Sequence, residues 1–261
     1  MAVVRSLLVL VFLTISLAPR ASAWSENAHR AVARVASELA PETATRRQRY
    51  LIGSGVTLED LAGYLDSVAA ERPEVESWRE ITLPPGAQKT ELERDCPVGD
   101  CVTAKVREFE GIVRLGVRNK GERLEAFKLL IGLAAELHQP LNAGYPPDRG
   151  GDRTILVSGK EMSLYELWDQ RLLGQRDTDE LAARIRELAT PENVRAWSEG
   201  TLRDWTWDTH RAALEIAYDG VGVDSPQPID ARYLNRAQET AEIQLAKAAV
   251  RLAVLLDRIW P

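Results

Sequence analysis

Apolar residues recur along most of this chain at three- and four-residue intervals, the spacing of one helical face. From Ser25 the stretch SENAHRAVARVASELA puts Ala28, Val32, Val35, Ala36 and Leu39 on one stripe, with Ser25 placed to cap and His29 at its border. A second helix is expected from Pro41 to about Ile52, ended by Gly53. A third should start at Thr57, bury Leu58, Leu61, Ala62 and Leu65, carry Asp66 on that inner side, and end before Pro73. The segment from Pro73 to Cys101 holds Pro73, Pro84, Pro85 and Pro97 and little period, so it reads as a long connection. Helical spacing then returns over Val102 to Val117 and Glu122 to His138, joined by the short turn RNKG.

Between Asn142 and Met162 the chain is rich in proline and glycine and has one β-like run, RTILVSG, expected as a small surface hairpin. SLYELWDQRLL opens with a capping box, Ser163 and Glu166, and sets Tyr165 and Asp169 at i and i+4 of one helical face. Further helices are expected from Thr178, from Thr190-Pro191 and through WTWDTHRAALEIAY. The last, Asp230 to Trp260, is apolar around most of its surface and belongs at the centre. Without repeats, low-complexity tracts or a linker, the pattern predicts an all-α, single-domain multi-helix bundle with a small β-hairpin. One helix stands out. AFKLLIGLAAELHQPLN, Ala126 to Asn142, has the length and apolar content of a core helix but carries one acid, Glu136, one turn after Gly132 on the same face, and one histidine, His138, and Pro140 stops it. A carboxylate among Leu, Ile and Ala needs a partner.

The two ends of the charge scale narrow the function. Residues 1–23 have the layout of an export signal: Arg5, the apolar run SLLVLVFLTISLA, too short to span a bilayer, and the small-residue cleavage site Ala21-Ser22-Ala23. The mature chain is therefore expected as residues 24–261, beginning at Trp24, secreted or periplasmic, with no membrane contact after cleavage and a monomeric state. Losing Arg5 and Arg20 takes the formal charge from −6 to −8. Such a chain is not a general polyanion binder, and nucleic acid would have to be met locally, through a metal or a small basic patch. Cys96 and Cys101, in the turn-rich RDCPVGDC, are expected to form a disulfide that staples a loop after export. Their spacing is not that of a redox pair.

Several short patterns line up in order: Trp24-x4-His29, Leu65-Asp66, SWREITLP from Ser77 to Pro84, Glu136-Leu-His-Gln-Pro-Leu-Asn142 and Tyr165-x3-Asp169. ERDC…C, the W-x-x-D-T-H of Trp205 to His210 and QLAKAAVRLAVLLD near the end extend them. In order and spacing the chain resembles the secreted trinuclear-zinc nucleases that cut single strands, the S1/P1 nuclease family within the phospholipase C/nuclease superfamily. The resemblance covers nearly all of residues 24–261. It implies a helical bundle of that type, hydrolysis of phosphodiesters in single-stranded nucleic acid or nucleotides, and zinc. Such chemistry needs imidazole and carboxylate ligands converging from one helical face, because clustered zinc lowers the pKa of a water and neutralises charge on the phosphate.

Carried over by position, the resemblance places Trp24, by its free amino group and carbonyl, and His29, Asp66 and Asp169 where the family has its ligands. Asp66 also stands where the catalytic aspartate would be. Glu136 replaces a bridging aspartate, and Arg79, Gly132, Asn142 and Tyr165 replace four histidines. The resemblance thus leaves one potential zinc site, Trp24, His29 and Glu136, and an expectation of one ion at most, or none. Asn142 and Tyr165 offer neutral oxygens, weak ligands beside imidazole. Arg79 is expected to point at Asp66 and Glu136 and to stand in for metal charge, pairing in bidentate fashion. His138 and His210 are expected in structural hydrogen bonds, Tyr165 as core filling, and the tryptophans near Trp205 as packing rather than a base-stacking platform. Two function classes follow: a nuclease-family hydrolase with reduced or lost activity, and a noncatalytic pseudo-nuclease that binds a ligand or partner through the old cleft.

Overall fold

Caps written in the sequence set where most helices begin. In the computed structural model, which describes residues 24–144, 153–222 and 226–261, the Ser25 hydroxyl accepts from the Ala28 amide and starts α1 (Glu26–Leu39). Pro41 precedes α2 (Glu42–Ile52), which stops at Gly53, φ 99°, a backbone angle that favours glycine. A reciprocal Thr57–Asp60 pair opens α3 (Leu58–Leu61). The helix expected from Thr57 towards Pro73 is in fact two, because the chain turns at Ala62 and Gly63 and resumes as α4 (Tyr64–Ala69). Glycine, weakly committed to helix, is where the run bends. The long connection contains two single turns, α5 (Glu74–Ser77) and α6 (Leu92–Asp95), and the Cys96–Cys101 disulfide closes the loop before α7 (Val102–Leu115). Gly116 in the left-handed region ends α7 ahead of the expected Val117. The Asn119 side chain accepts from the Glu122 amide and caps α8 (Lys120–Glu136), after which Pro140–Ala143 forms a turn of 3-10 helix.

The expected hairpin is β1 (Thr154–Val157) and β2 (Lys160–Ser163), joined through Ser158 and Gly159, both at positive φ. A third strand, which has no counterpart in the periodicity, lies parallel to β1 after a long excursion of chain. The helix expected from Ser163 is α9 (Leu164–Glu166) continued by a π-helical turn over Leu167–Arg171. Then come α10 (Thr178–Leu188), α11 (Pro191–Ser198), α12 (Leu202–Ala212) with a π turn over Ala213–Ala217, the third strand β3 (Gln227–Ile229), and α13 (Ala231–Ile259). The sheet order is β2-β1-β3. Residues 1–23, expected as an export signal, and most of the loop before β1 lie outside the described residues. Within them no helix is long and apolar enough to cross a membrane.

Two helices organise the bundle. α13 packs against α1, α10 and α8, and α8 packs against α7, α4, α2 and α13. From Ala126 to Glu136 every residue of α8 except Lys128 is buried. A helix buried on nearly all sides is the centre of an all-α fold, as its sequence predicts. Its last residue therefore delivers a carboxylate into the interior.

Candidate functional site

Glu136, the last residue of α8, is fully buried. An unpaired carboxylate there would cost on the order of several kcal/mol, and both of its oxygens are engaged. Arg79 Nη1 donates to Oε1 at 2.7 Å, and Asn142 Nδ2 donates to Oε2 at 2.8 Å and to the Glu136 carbonyl at 3.2 Å. The other arm of the guanidinium, Nη2, donates to Asp66 Oδ1 at 2.7 Å, and Nε lies 3.8 Å from Glu76 Oε1. The expected pairing of Arg79 with both carboxylates is present, with one correction. Asp66 and Glu136 each take a single arm, so the fork bridges two acids instead of gripping one. The acids stand on separate elements, α4 and the end of α8, and converge from different directions. Burial by itself lowers the Arg79 pKa, but Glu136 and Asp66 beside it raise the value above that of free arginine, and the side chain stays charged.

Local structure fixes this cation in place. Trp78 is buried edge-on against Phe109, ring centroids 5.7 Å apart, and anchors the residue before Arg79. Just after it, the Ile81 amide donates to the Asn142 carbonyl at 2.7 Å and the Leu83 amide to the Gly144 carbonyl at 3.0 Å. The segment that carries Arg79 thus runs beside the turn that carries Asn142. Asn142 acts through its amide N–H, not through the neutral oxygen that the sequence reading assigned to it. No periodicity reveals this role, because it depends on a turn six residues after Glu136 closing back on the helix end.

His29, in α1, also reaches Glu136. Its Nε2 lies 3.3 Å from Oε1, but outside hydrogen-bond geometry, so both buried ring nitrogens have no hydrogen-bond partner among the described residues. The Trp24 indole donates to the Ala135 carbonyl at 3.1 Å and the whole residue is buried, one residue away from Glu136 along α8. Asp169, in the π turn after α9, is 2% exposed, and its pKa is pushed up to about 9 by burial first and then by Glu136 and Asp66, against the pull of Arg79. It keeps its proton at neutral pH. A π turn at such a position is a frequent companion of sites.

The remaining positions are packed. A Cβ on Gly132 would lie 2.7 Å from Leu65 Cβ, so α4 and α8 meet too closely there for any larger side chain. Tyr165 is half-buried against the core, as expected of core filling. His138 Nδ1 is 2.7 Å from the Ala134 carbonyl and His210 Nδ1 is 2.6 Å from the Ala143 carbonyl, so both histidines make the structural hydrogen bonds expected of them. Burial pushes the His138 pKa down to about 3, with Arg251 adding to the effect. Trp205 is buried, its indole donating to the Glu199 carbonyl at 2.7 Å. The structure therefore brings together Glu136, Arg79, Asp66, Asn142 and His29, with Asp169 in their electrostatic field. Among the described residues no group of three or more His, Cys, Asp and Glu side chains is arranged to hold a metal ion.

Comparison with known sequences gives matches over nearly the whole of residues 24–261. The sequence profile described as S1/P1 Nuclease matches residues 24–261. Nuclease S1 of Aspergillus oryzae is 22% identical over 278 residues, which cover 94% of this chain and 95% of that protein. Endonuclease 2 of Arabidopsis thaliana is 22% identical over 274 residues, 93% of this chain and 92% of its own length. Endonuclease 1 of the same plant is 22% identical over 291 residues, 98% and 93% of the two chains. The profile match starts at Trp24, the first residue after the expected cleavage site.

Proposed function

Because this chain belongs to the S1/P1 nuclease family, we propose that it is a member whose cleft has been rebuilt around a protein cation, with phosphodiester hydrolysis lost and a binding role kept. The observation that carries the reading is the Arg79 guanidinium, held at 2.7 Å from both Glu136 and Asp66. It occupies the carboxylate edges that a cation cluster would need, and it is itself positive and buried beside them. Glu136 has no oxygen left over, Asp169 is protonated at neutral pH, and Leu65 fills the space beside Gly132. The residues present do not fit a trinuclear zinc centre, and we derive no reaction step through one. Arginine cannot supply an activated water, since its pKa lies far above neutrality and it offers donors only.

The proposed protein is exported on residues 1–23, works as the single domain 24–261 outside the cytoplasm, and binds single-stranded nucleic acid or a nucleotide, or else a protein, through the old cleft. The test uses the chain cleaved before Trp24. Metal content by mass spectrometry is measured with hydrolysis of single-stranded DNA and RNA, and with binding of a labelled oligonucleotide. We expect no zinc and no cleavage. About three zinc ions per chain with rapid cleavage would sink the reading. A second reading rests on His29, whose ring nitrogens lack partners 3.3 Å from Glu136: one zinc ion held by Trp24, His29 and Glu136. One equivalent of zinc, lost in His29→Ala, would favour it.

A further inference from the structure

α7 carries two apolar stripes; the bundle buries one, and packs only part of the other, Ala104 and Ile112, against its core. Val102, Val106, Phe109 and Val113, at i, i+4, i+7 and i+11, are buried. Ala104, Gly111, Ile112 and Leu115, at i, i+7, i+8 and i+11, form the second stripe and remain half-buried or open, with Leu115 62% exposed. Val117, in the turn that follows, is 75% exposed. With Leu92 of α6 these residues line an open groove of about 490 Å³. Leu92 and Arg107 also border a neighbouring depression of about 310 Å³ that reaches Leu202 and Arg258. A single apolar side chain on a surface needs no explanation, but a groove that leaves Leu115 and Val117 open beside Ile112 does.

Charge and backbone both point to an occupant. Arg107 and Arg118 stand at the first groove and Arg203 and Arg258 at the second, against Glu108 and Glu110. Glu108 is already bound by Lys105, Arg203 by Glu93, and Arg258 donates to the Gly200 carbonyl. Among the described residues Arg107 and Arg118 have no ion-pair partner. A basic rim on a chain of formal charge −6 selects an acidic partner. Gly111 sits in the interior of α7, where glycine weakens a helix, and a Cβ there would meet nothing within 4 Å. Packing inside this protein does not require that glycine, whereas close approach of another backbone would use it.

We propose that this groove docks an acidic amphipathic helical segment of a protein partner. Its apolar side chains would lie on Ile112, Leu115 and Val117 and its carboxylates against Arg107 and Arg118. The stretch from Ala104 to Leu115 is about 17 Å long, room for three turns of a partner helix. None of the lining residues is aromatic, so the groove lacks the stacking platform that a nucleic-acid strand needs. A second copy of this chain would bring arginines to arginines. The inference does not depend on the reading of the cleft.

The test is a display library of helical peptides selected against the chain that starts at Trp24, followed by fluorescence anisotropy with synthetic copies of the recovered sequences. Recovered peptides should combine Asp or Glu with Leu, Ile or Phe at i, i+4 and i+7. Their affinity should fall at least about tenfold in Gly111→Leu, which fills the groove, and in the double variant Arg107→Glu/Arg118→Glu, which reverses its rim. Gly111→Leu should melt no lower than the parent, which separates blocked docking from misfolding. No enrichment, peptides without net negative charge, binding unchanged in Gly111→Leu, or displacement of the peptides by an oligothymidylate would overturn the proposal.

Discussion

Replacing Arg79 with methionine removes the cation at the centre of the site while keeping most of its volume. Arg79 is 5% exposed and Glu136 fully buried, so the variant leaves a buried carboxylate bonded by the Asn142 amide, with His29 Nε2 3.3 Å from its Oε1, and faced by Asp66 and Asp169. Removing one partner of a buried pair costs about 3–5 kcal/mol. The Asp66 side chain is 31% exposed, and solvent screens that half of the bridge, so the lower part of the range applies. We expect a loss of about 3 kcal/mol, which for a domain of this size lowers Tm by about 10 °C. Urea denaturation of Arg79→Met, Glu136→Gln and the double variant, at equal m values, measures it. The double variant should recover at least about 1.5 kcal/mol relative to the sum of the single losses, because the amide no longer demands a cation. A single-variant loss under about 1 kcal/mol, or strict additivity, would refute the idea that this pair carries the site.

Other predictions probe the surroundings. Gly132→Ala should destabilise by about 1–2 kcal/mol despite the gain in helix propensity, since its Cβ would meet Leu65 at 2.7 Å, whereas Gly111→Ala should stabilise by up to about 1 kcal/mol. Calorimetry showing the same sign at both positions would contradict the packing described. His138 has a folded pKa of about 3 against 6.5 when free, so between those values the unfolded chain binds a proton that the folded chain does not. Stability from this group is therefore lost as pH falls from about 6.5 towards about 3, and His138→Gln should flatten that slope in urea titrations at pH steps across the window. Cys96→Ser/Cys101→Ser should cost about 2 kcal/mol, the loop-closure value for so short a ring, and reductant should lower the Tm of the parent but leave that of the variant unchanged.

Much of the bundle is legible in the chain because caps and stripes are local. Ser25 and Asp230 start helices where the sequence puts them, and the apolar wall of α8 predicts its central place. What escaped is non-local or too short to carry a period. β3 is three residues with a proline in the middle, and its partner strand is far away along the chain. The break between α3 and α4 has only Gly63 to announce it. In the site, the family resemblance put Arg79, Asp66 and Glu136 at ligand positions of one cluster, and from there their opposite charges sufficed to anticipate the ion pairs. The direction in which Asn142 presents its amide did not follow from composition or spacing. Neither did the closeness of Leu65 to Gly132, since a glycine in a helix says nothing about what approaches it.

On the proposed reading, the same contacts that hold the cleft together explain why it lacks the family chemistry. Glu136 and Asp169, both buried, and the half-buried Asp66 repel one another, and some positive charge must sit among them for the helices to close. A guanidinium answers two of them with directed N–H bonds, and protonation answers the third, Asp169. Neutralised in this way, the cluster can be tightly packed around Glu136. Leu65 lies against Gly132 and Asn142 closes over the last oxygen of Glu136. Restoring a histidine at one position would not reopen the site, because the neighbouring space is filled and the carboxylates are taken. On this reading, a zinc cluster of the family type would need Arg79, Gly132, Asn142 and Tyr165 to change together with Leu65. Single substitutions toward histidine at Arg79 or Gly132 should accordingly cost stability without gaining zinc.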